Sequence, residues 1–276
     1  MPLAESACYG GSRARFFQSG VAWRLSPMFM SVVDTVPGVS VYPELAGSRV
    51  LVTGVTAEAG VDVARAFASH RTYLVVHSCD PSPAMTEVGS LLAESATNLQ
   101  LFNGPIDDRD RARRFAQTAS QVHGGIDAAI NLISISSEEV AALNSEADVE
   151  NFISDKLNSQ LEITRVIANR MRLAWIEGSI LNVVLMPEAA TQREATVGGL
   201  VHAALAAMTR GEAQTWAEHA IRINAIGPRG TKPAGAALSS EPEVASLAIY
   251  LASKKGRQLS GQMFDAAHLC GRRSRD

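Results

Sequence analysis

The chain has 276 residues, of which 46% are hydrophobic and 19% are charged, and its formal net charge is −3. This balance suits a globular chain with a sizeable core, and it gives no reason to expect a nucleic acid or an acidic membrane surface as a partner. The cysteines, Cys8, Cys79 and Cys270, lie far apart, so neither a disulfide framework nor a metal site is predicted. No apolar run approaches the roughly 18–20 residues that span a bilayer.

Residues 1–44 precede the first predicted strand and form an N-terminal extension. Arginines such as Arg13 and Arg24, with few acids, are compatible with an organelle transit peptide. Apolar residues such as Trp23 and Phe29 favour an arm packed on the body or on a neighbouring subunit. A disordered tail is the third interpretation, and the three stay open. With no secretion signal and no disulfide pattern, we expect a cytoplasmic location unless this extension targets an organelle.

From residue 45 onward, apolar runs of strand length alternate with segments of helical periodicity. The predicted strands are 50–52, 73–77, 98–102, 126–133, 178–184, 221–226 and 262–264, and the main predicted helices begin near 61, 82, 109, 149, 195 and 241. Strands separated by helices require right-handed crossovers. The pattern therefore predicts one α/β domain over residues 45–276, with a Rossmann-like, doubly wound and mostly parallel seven-stranded sheet.

Residues 48–68 combine a buried strand, a glycine-bearing turn and an amphipathic helix, which is the opening of a dinucleotide-binding unit. Thr53, Gly54 and Gly60 resemble the T-G-x-x-x-G-x-G turn of the short-chain dehydrogenase/reductase family. The segment 221–228, IRINAIGP, is similar to that family's I-R-V-N-A-x-x-P. The resemblance covers residues 45–276 and implies hydride transfer between NAD(P) and a carbonyl or alcohol.

The turn departs from the family pattern at its middle glycine, where this chain has Glu58. A glycine there lets the backbone approach a phosphate closely, whereas a carboxylate adds bulk and like charge. Two unit charges about 4 Å apart repel by about 4 kcal/mol at an effective dielectric near 20. The sequence therefore predicts weak or absent NAD(P) binding, unless the Glu58 side chain turns into solvent or caps its own helix.

The resemblance implies a catalytic Ser, Tyr and Lys, and their positions fall at Leu185, Gly198 and His202. The family's relay Asn falls near Lys156, with Asn158 close by. No tyrosine or lysine occurs between residues 191 and 215, so no catalytic residue is predicted. His202 is either a substitute acid or base, because its ordinary pKa is near 6.5, or a histidine that packs against a neighbouring element.

The cofactor-binding residues implied by the resemblance are Gly54, Gly60, Asp80, Asn131 and Pro228. Asp80 follows the second strand, where an acid would hold the ribose hydroxyls, so NAD is slightly favoured over NADP. Asn131 either shapes the turn under the nicotinamide or caps a strand end. Pro105 stands at the position of the family's adenine-contacting Asp, with Asp107 and Asp108 close by.

These observations predict a catalytically degenerate family member that serves as an interaction or regulatory subunit. Small residues in the helix predicted from residue 195, between Gly198 and Ala207, suit close helix packing, either in a homo-oligomer or hetero-oligomer with a related subunit or against the sheet of the same chain. The alternatives are an active NAD(P)-dependent oxidoreductase with non-standard catalytic residues and a nucleotide-binding sensor without turnover.

Overall fold

The computed structural model describes residues 41–229 and 237–267. Most of the predicted extension, residues 1–40, lies outside the described residues, so its packed-arm, disorder and targeting interpretations stay predictions. In the described ranges, no helix combines the length and the apolar character that crossing a membrane requires.

One seven-stranded sheet organises the described residues. The strands are β1 Arg49–Thr53, β2 Tyr73–Ser78, β3 Asn98–Asn103, β4 Ala128–Ser134, β5 Ser179–Leu185, β6 Arg222–Pro228 and β7 Met263–Ala266. The helices are α1 Val61–Ser69, α2 Pro83–Ser95, α3 Arg109–Val122, α4 Ser137–Ala141, α5 Glu146–Leu173, α6 Gln192–Trp216 and α7 Glu241–Ala252. The sheet order is β3-β2-β1-β4-β5-β6-β7, and every neighbouring pair is parallel. The predicted Rossmann-like fold is confirmed.

The core lies in two layers, one on each face of β1. Because side chains alternate along a strand, Val50 and Val52 face one layer and Leu51 faces the other. Val52 belongs to the cluster that includes Phe67 of α1, and Leu51 to the cluster that includes Ile167 of α5. All of them are essentially inaccessible to solvent. A central strand buried on both faces explains why the sequence reads as a continuous apolar run.

Helix boundaries differ from the predictions where side-chain caps act. The helix predicted from residue 149 begins at Glu146, because the Ser145 hydroxyl accepts a hydrogen bond from the Asp148 N–H and the Asp148 carboxylate accepts one from the Ser145 N–H. The short helix α4 was not predicted, although Ser136 and Glu139 form the same reciprocal cap. The S-x-x-E spacing was the available signal for this helix. A helix of five residues is too short to show apolar periodicity.

The last residues of the predicted extension pack on the domain. A short 3-10 helix spans Pro43–Leu45. The Lys254 N–H donates to Glu44 Oε1 at 3.1 Å, and Lys255 Nζ lies 4.8 Å from the centre of the Tyr42 ring. Residues 41–44 are thus tied to the connection between α7 and β7, whereas the boundary proposed at residue 44 stays a prediction.

Candidate functional site

A cleft of about 430 Å³ opens at the carboxyl ends of β1, β2 and β4. We call it the carboxyl-end cleft, and its lining includes Gly54, His77, Pro105, Asn131, Ser134, Lys156 and Gln160. In parallel α/β sheets, ligands bind outside the carboxyl ends of the strands, where the order of the strands reverses. Here β1 is the strand from which the order runs both ways. The topology therefore makes this cleft the first candidate for a functional site.

The glycine turn, residues 53–60, lies where the sequence predicts it. Gly54 has φ 74° and Gly60, the N-cap of α1, has φ 85°, a region that side chains rarely adopt. A Cβ on Gly54 would overlap the Leu132 carbonyl oxygen, and one on Gly60 would lie 2.6 Å from Leu132 Cδ1. Packing against β4 thus requires both glycines whether or not a ligand binds.

Asp80 lies beside the glycine turn, as predicted. The Ala57 N–H donates to Asp80 Oδ2 at 3.0 Å, and the Ser82 N–H donates to Asp80 Oδ1 at 2.8 Å. The hydrogen bond from Ala57, followed by those from Ser82, holds the pKa of the Asp80 carboxyl below its ordinary value. The carboxylate is therefore ionised at neutral pH and already joins β2 to the turn, while its predicted contact with a ribose stays a prediction.

Two further carboxylates lie at the turn and at the start of α1. Glu58 is exposed, which agrees with the alternative in which its side chain faces solvent. Glu241, the first residue of α7, accepts a hydrogen bond from the Asp62 N–H at 2.7 Å and bonds also to the N–H groups of Gly60 and Val63. Burial raises the pKa of Glu241 and, with the charge of Asp62, outweighs the hydrogen bonds from these N–H groups, which act to lower it. The first turn of α1 thus has a carboxyl group supplied by the chain itself, which the sequence alone did not reveal.

His77, on β2, lies at the floor of the cleft. The Gly54 N–H points to His77 Nδ1 at 3.5 Å, and His77 Nε2 lies 2.7 Å from the Gly104 carbonyl oxygen. With Nδ1 as acceptor, Nε2 carries the proton and donates to Gly104. The ring packs on Phe115 at 4.7 Å between centroids, and burial lowers the pKa of His77. His77 is therefore a neutral structural link between β1, β2 and the loop after β3.

Asn131 lies within β4, so the interpretation of a strand-end cap is wrong. Its Nδ2 donates to Asn182 Oδ1 at 2.9 Å and to Thr164 Oγ1 at 3.3 Å, while Thr53 Oγ1 donates to Asn131 Oδ1 at 3.3 Å. Gln160 Nε2 donates to the Asn131 carbonyl at 2.8 Å. This buried network joins β1, β4, β5 and α5 beneath the cleft. A contact between Asn131 and a nicotinamide stays a prediction.

The positions implied for the catalytic Ser and Tyr lie beside a second cavity of about 330 Å³, between the ends of β5 and β6 and the start of α6. Leu185 ends β5, is 1% exposed and pairs in register with Ser134. A Cβ on Gly198 would lie 3.6 Å from Met186 Sδ and 3.7 Å from Pro228 Cβ, which is ordinary contact. Pro228, a predicted cofactor residue, thus lies beside Gly198 rather than in the carboxyl-end cleft.

His202, at the implied Lys position, is held by the chain. Its Nδ1 lies 2.9 Å from the Pro228 carbonyl oxygen and 3.5 Å from Asp265 Oδ1. A neutral ring therefore donates its Nδ1 proton to Pro228 and keeps Nε2 as an acceptor. The ring is three-quarters buried, with 25% of the side chain exposed. Both interpretations of His202, as a base and as a packed histidine, are compatible with this geometry.

Lys156, at the implied Asn position, brings a cation to the cleft. Its Nζ lies 2.7 Å from Glu139 Oε1 and 5.5 Å from the centre of the Phe152 ring. Burial acts to raise the pKa of Glu139, but the hydrogen bonds from Lys156 and Ser136 and the charge of Lys156 together outweigh it, and the pKa is lowered overall. In the described ranges, no group of three or more His, Cys, Asp or Glu side chains is arranged to hold a metal ion.

Comparisons with known proteins agree with this geometry. Residues 54–243 match the family model described as enoyl-(acyl carrier protein) reductase. Nodulation protein G of Rhizobium sp. (strain N33) is 23% identical over 237 residues, which cover 79% of this chain and 95% of that protein. Nodulation protein G of Rhizobium meliloti (strain 1021) is 22% identical over the same length.

Solved structures share the fold at lower identity. A short-chain type dehydrogenase/reductase from Mycobacterium marinum superposes with a TM-score of 0.65 at 19% identity, covering 81% of this chain and 94% of that one. An NADH-dependent reductase, A1-R′, complexed with NAD, gives a TM-score of 0.64 at 18% identity, covering 82% and 97%. The family model matches more than half of the chain and the glycine turn lies where the family has it. The chain therefore belongs to the short-chain dehydrogenase/reductase family.

Proposed function

We propose that this chain is a family member that has lost hydride transfer by the Ser-Tyr-Lys set and acts as an interaction or regulatory subunit. One observation supports the proposal: Gly198 and His202, both on α6, stand at the positions where the family resemblance implies the proton-handling Tyr and Lys. A glycine has no proton to give, and Leu185 at the Ser position has no hydroxyl. The groups that would polarise a substrate oxygen are therefore replaced by groups that pack.

The backbone of the glycine turn is suited to a dinucleotide, but the charges of the nearby side chains are not. Gly54 and Gly60 keep the left-handed conformations of the turn. However, Glu241 already uses N–H groups of the first turn of α1, which in this fold are offered to a pyrophosphate. Glu58 adds a second negative charge next to them. The proposal is therefore weak or no NAD(P) binding, with NAD favoured over NADP because Asp80 is ionised beside the turn.

The exposed side of α6 supports the interaction role. Leu200 is 47% exposed, and Ala203 and Ala207, one and two turns further along, are exposed as well. Gly198 and Ala206 are buried and account for the packing within the chain. A stripe of one leucine and two alanines lets another helix approach closely. We propose that a second copy or a related subunit packs on this stripe.

Calorimetry and thermal unfolding with NAD, NADH, NADP and NADPH test the loss of cofactor chemistry. A ligand raises the unfolding temperature only if it binds the folded state. We expect no increase with any of the four at millimolar concentration. A clear increase without turnover would replace the proposal with the nucleotide-sensor hypothesis, and an increase with turnover would replace it with an active enzyme.

Light scattering after size exclusion tests the interaction stripe. Ala207→Arg places a long cation on the stripe, and we expect the oligomer to dissociate to monomers. Ala93→Arg, at an exposed alanine of α2, is the matched control and leaves the mass unchanged. If the protein is monomeric before any substitution, the proposed partner is not a second copy of this chain.

An active NAD(P)-dependent oxidoreductase is the second candidate. His202 favours it, because the Pro228 carbonyl holds Nδ1 and leaves Nε2 as a proton acceptor. This arrangement suits removal of a proton from an alcohol. The description of the matching family model makes an enoyl thioester a further substrate to try. Turnover measured by nicotinamide absorbance, lost in His202→Ala and kept in His219→Ala, would establish it.

A further inference from the structure

A cavity of about 690 Å³ lies at the amino ends of β5, β6 and β7, whereas the carboxyl-end cleft lies at the other ends of the strands. We call it the arginine cavity. Its lining includes Arg210 and Gln214 of α6, Arg222 at the start of β6, Glu177 before β5, and Arg257 and Ser260 before β7. Neither the fold nor the family comparison assigns it a role.

The cavity has an excess of positive charge. Arg257 Nη2 lies 2.9 Å from Glu177 Oε2, but 60% and 65% of the two side chains are exposed, so solvent screens this pair. Arg210 has no ion pair within the described ranges. Three guanidinium groups thus face one carboxylate.

Arg222 is fixed in its place. Its Nη1 donates to the Leu251 carbonyl at 2.6 Å and to the Gly256 carbonyl at 2.8 Å. Burial lowers the pKa of the Arg222 guanidinium, and the positive charge of Arg257 lowers it further, while Glu177 acts in the opposite direction. The guanidinium groups of Arg222 and Arg257 therefore repel each other across the cavity, and an anion between them would relieve that repulsion.

Neutral donors and apolar walls complete the cavity. Ser260 Oγ accepts the Ile223 N–H at 3.2 Å, so its own O–H is left to donate. The side-chain amide of Gln214 adds two more N–H groups. Ala213 and Ile221 are buried and form low-dielectric walls, which strengthen the field of charges in a concavity. The donor set is that of an anion site.

We propose that the arginine cavity binds a phosphate-bearing small molecule, with Arg210 and Arg257 contacting the phosphate and Arg222 supplying a fixed charge behind them. Guanidinium groups bind phosphate oxygens in pairs of charge-assisted hydrogen bonds. The cavity volume lies in the range of small-molecule sites and exceeds what a lone phosphate ion fills, so the ligand is a phosphate ester. The site lies at the amino ends of the strands, and the cofactor position lies at their carboxyl ends. Binding at this site therefore does not depend on the function proposed above.

Titration of the full chain with glycerol phosphate, inorganic phosphate and sulfate tests this site. Binding is measured by calorimetry and by the backbone amide shifts of Gly261 and Ala220 at the cavity, with Ala57 at the glycine turn for comparison. We expect saturable binding of the monoester, weaker binding of inorganic phosphate, and shifts at Gly261 and Ala220. Equal binding of sulfate, or shifts confined to Ala57, would overturn the proposal.

Two arginine substitutions give the matched test. Arg210→Gln and Arg257→Gln are expected to weaken binding of the monoester by about tenfold each, because each removes a charge-assisted contact. Arg114→Gln, at an exposed arginine of α3, makes the same change of charge elsewhere and leaves the affinity unchanged. Both side chains chosen are exposed, so the variants fold, whereas Arg222 holds two carbonyls and is left intact. Undiminished affinity in the double variant would overturn the proposal.

Discussion

The surfaces at the carboxyl ends and at the amino ends of the strands differ in charge. At the carboxyl ends of the strands, where this fold receives a dinucleotide pyrophosphate, the turn and α1 carry Glu58, Asp80 and Glu241. At the amino ends, Arg210, Arg222 and Arg257 line one cavity. Negative charge therefore lies where a phosphate is expected, and positive charge lies where the fold has no known ligand.

The comparison separates what packing requires from what a ligand requires. The backbone of the glycine turn is retained because β4 leaves no room for a side chain at Gly54. Glu58 is under no such constraint, because its side chain is exposed. A glycine turn is therefore evidence for the fold, and the charges beside it are evidence about the ligand.

Alanine at two positive-φ glycines, one near the carboxyl ends of the strands and one near their amino ends, should give the largest contrast. Gly54→Ala forces a Cβ into the Leu132 carbonyl and should lower the free energy of unfolding by about 4 kcal/mol. Gly261→Ala meets only Ala213 Cβ at 3.5 Å and should cost about 1 kcal/mol for its φ of 75°. Urea unfolding measures both. Equal costs would mean that packing does not fix the turn.

The buried network under the cleft should give the next largest effect. Asn131→Ala removes the acceptor of Thr53 Oγ1 and one of the two donors to Asn182 Oδ1, and we expect a loss of about 2–3 kcal/mol in the free energy of unfolding. Asn169→Ala breaks an exposed bond to Arg172 and serves as the control, with a loss of less than about 0.5 kcal/mol. A small loss in Asn131→Ala would instead point to a ligand-binding role for that amide.

Removing the carboxylates at the turn should strengthen NAD binding, if charge is what limits it. Glu58→Gly and Glu241→Gln are each expected to raise the affinity by up to about tenfold, as measured by calorimetry. Glu87→Gln, at an exposed site on α2, controls for the change in net charge. Unchanged affinity in both variants would show that the turn excludes the cofactor for a reason other than charge.

The pH dependence of Glu241 should be the smallest effect, and its sign is fixed. Burial raises the pKa of Glu241 above 4.5 in the folded chain, so folding favours its protonated form. Its contribution to stability is present below pH 4.5 and is lost as the pH rises through the folded-state pKa. The difference in unfolding free energy between the wild type and Glu241→Gln should therefore shift against the wild type as the pH rises.

The stability contributed by Asp127 should depend on pH in the opposite direction. Burial acts to raise the pKa of Asp127, but the hydrogen bonds from Arg49 outweigh it and the pKa falls below 3.8. Its contribution is present above pH 3.8 and is lost as the pH falls through the folded-state value. If Asp127→Asn and Glu241→Gln shifted in the same direction with pH, the assignment of Glu241 would be wrong.

The sequence predicted local features well and long-range ones poorly. The seven strands and the glycine turn follow from runs of apolar residues and from Gly54 and Gly60, because neighbours along the chain set them. Glu241 bonds to an N–H group 179 residues away, and no pattern in one sequence connects the two. The arginines of the arginine cavity come from three separate segments, so no local pattern predicts that they meet. The strand-end interpretation of Asn131 failed because the residue lies inside the strand, which already held it in the predicted bounds of 126–133 and runs to Ser134 in the structure.

The position of β1 between β2 and β4 has a consequence for folding during translation. Arg49, at the start of β1, bonds to Asp127, which is 78 residues further along. The ribosome must therefore release β4 before β1 gains its second neighbour, and until then one edge of the strand is open to pairing with other chains. Because the pairing of β1 with β4 is non-local, we expect folding to be slow. Until β4 has left the ribosome, a chaperone would protect the open side of β1 in the nascent chain.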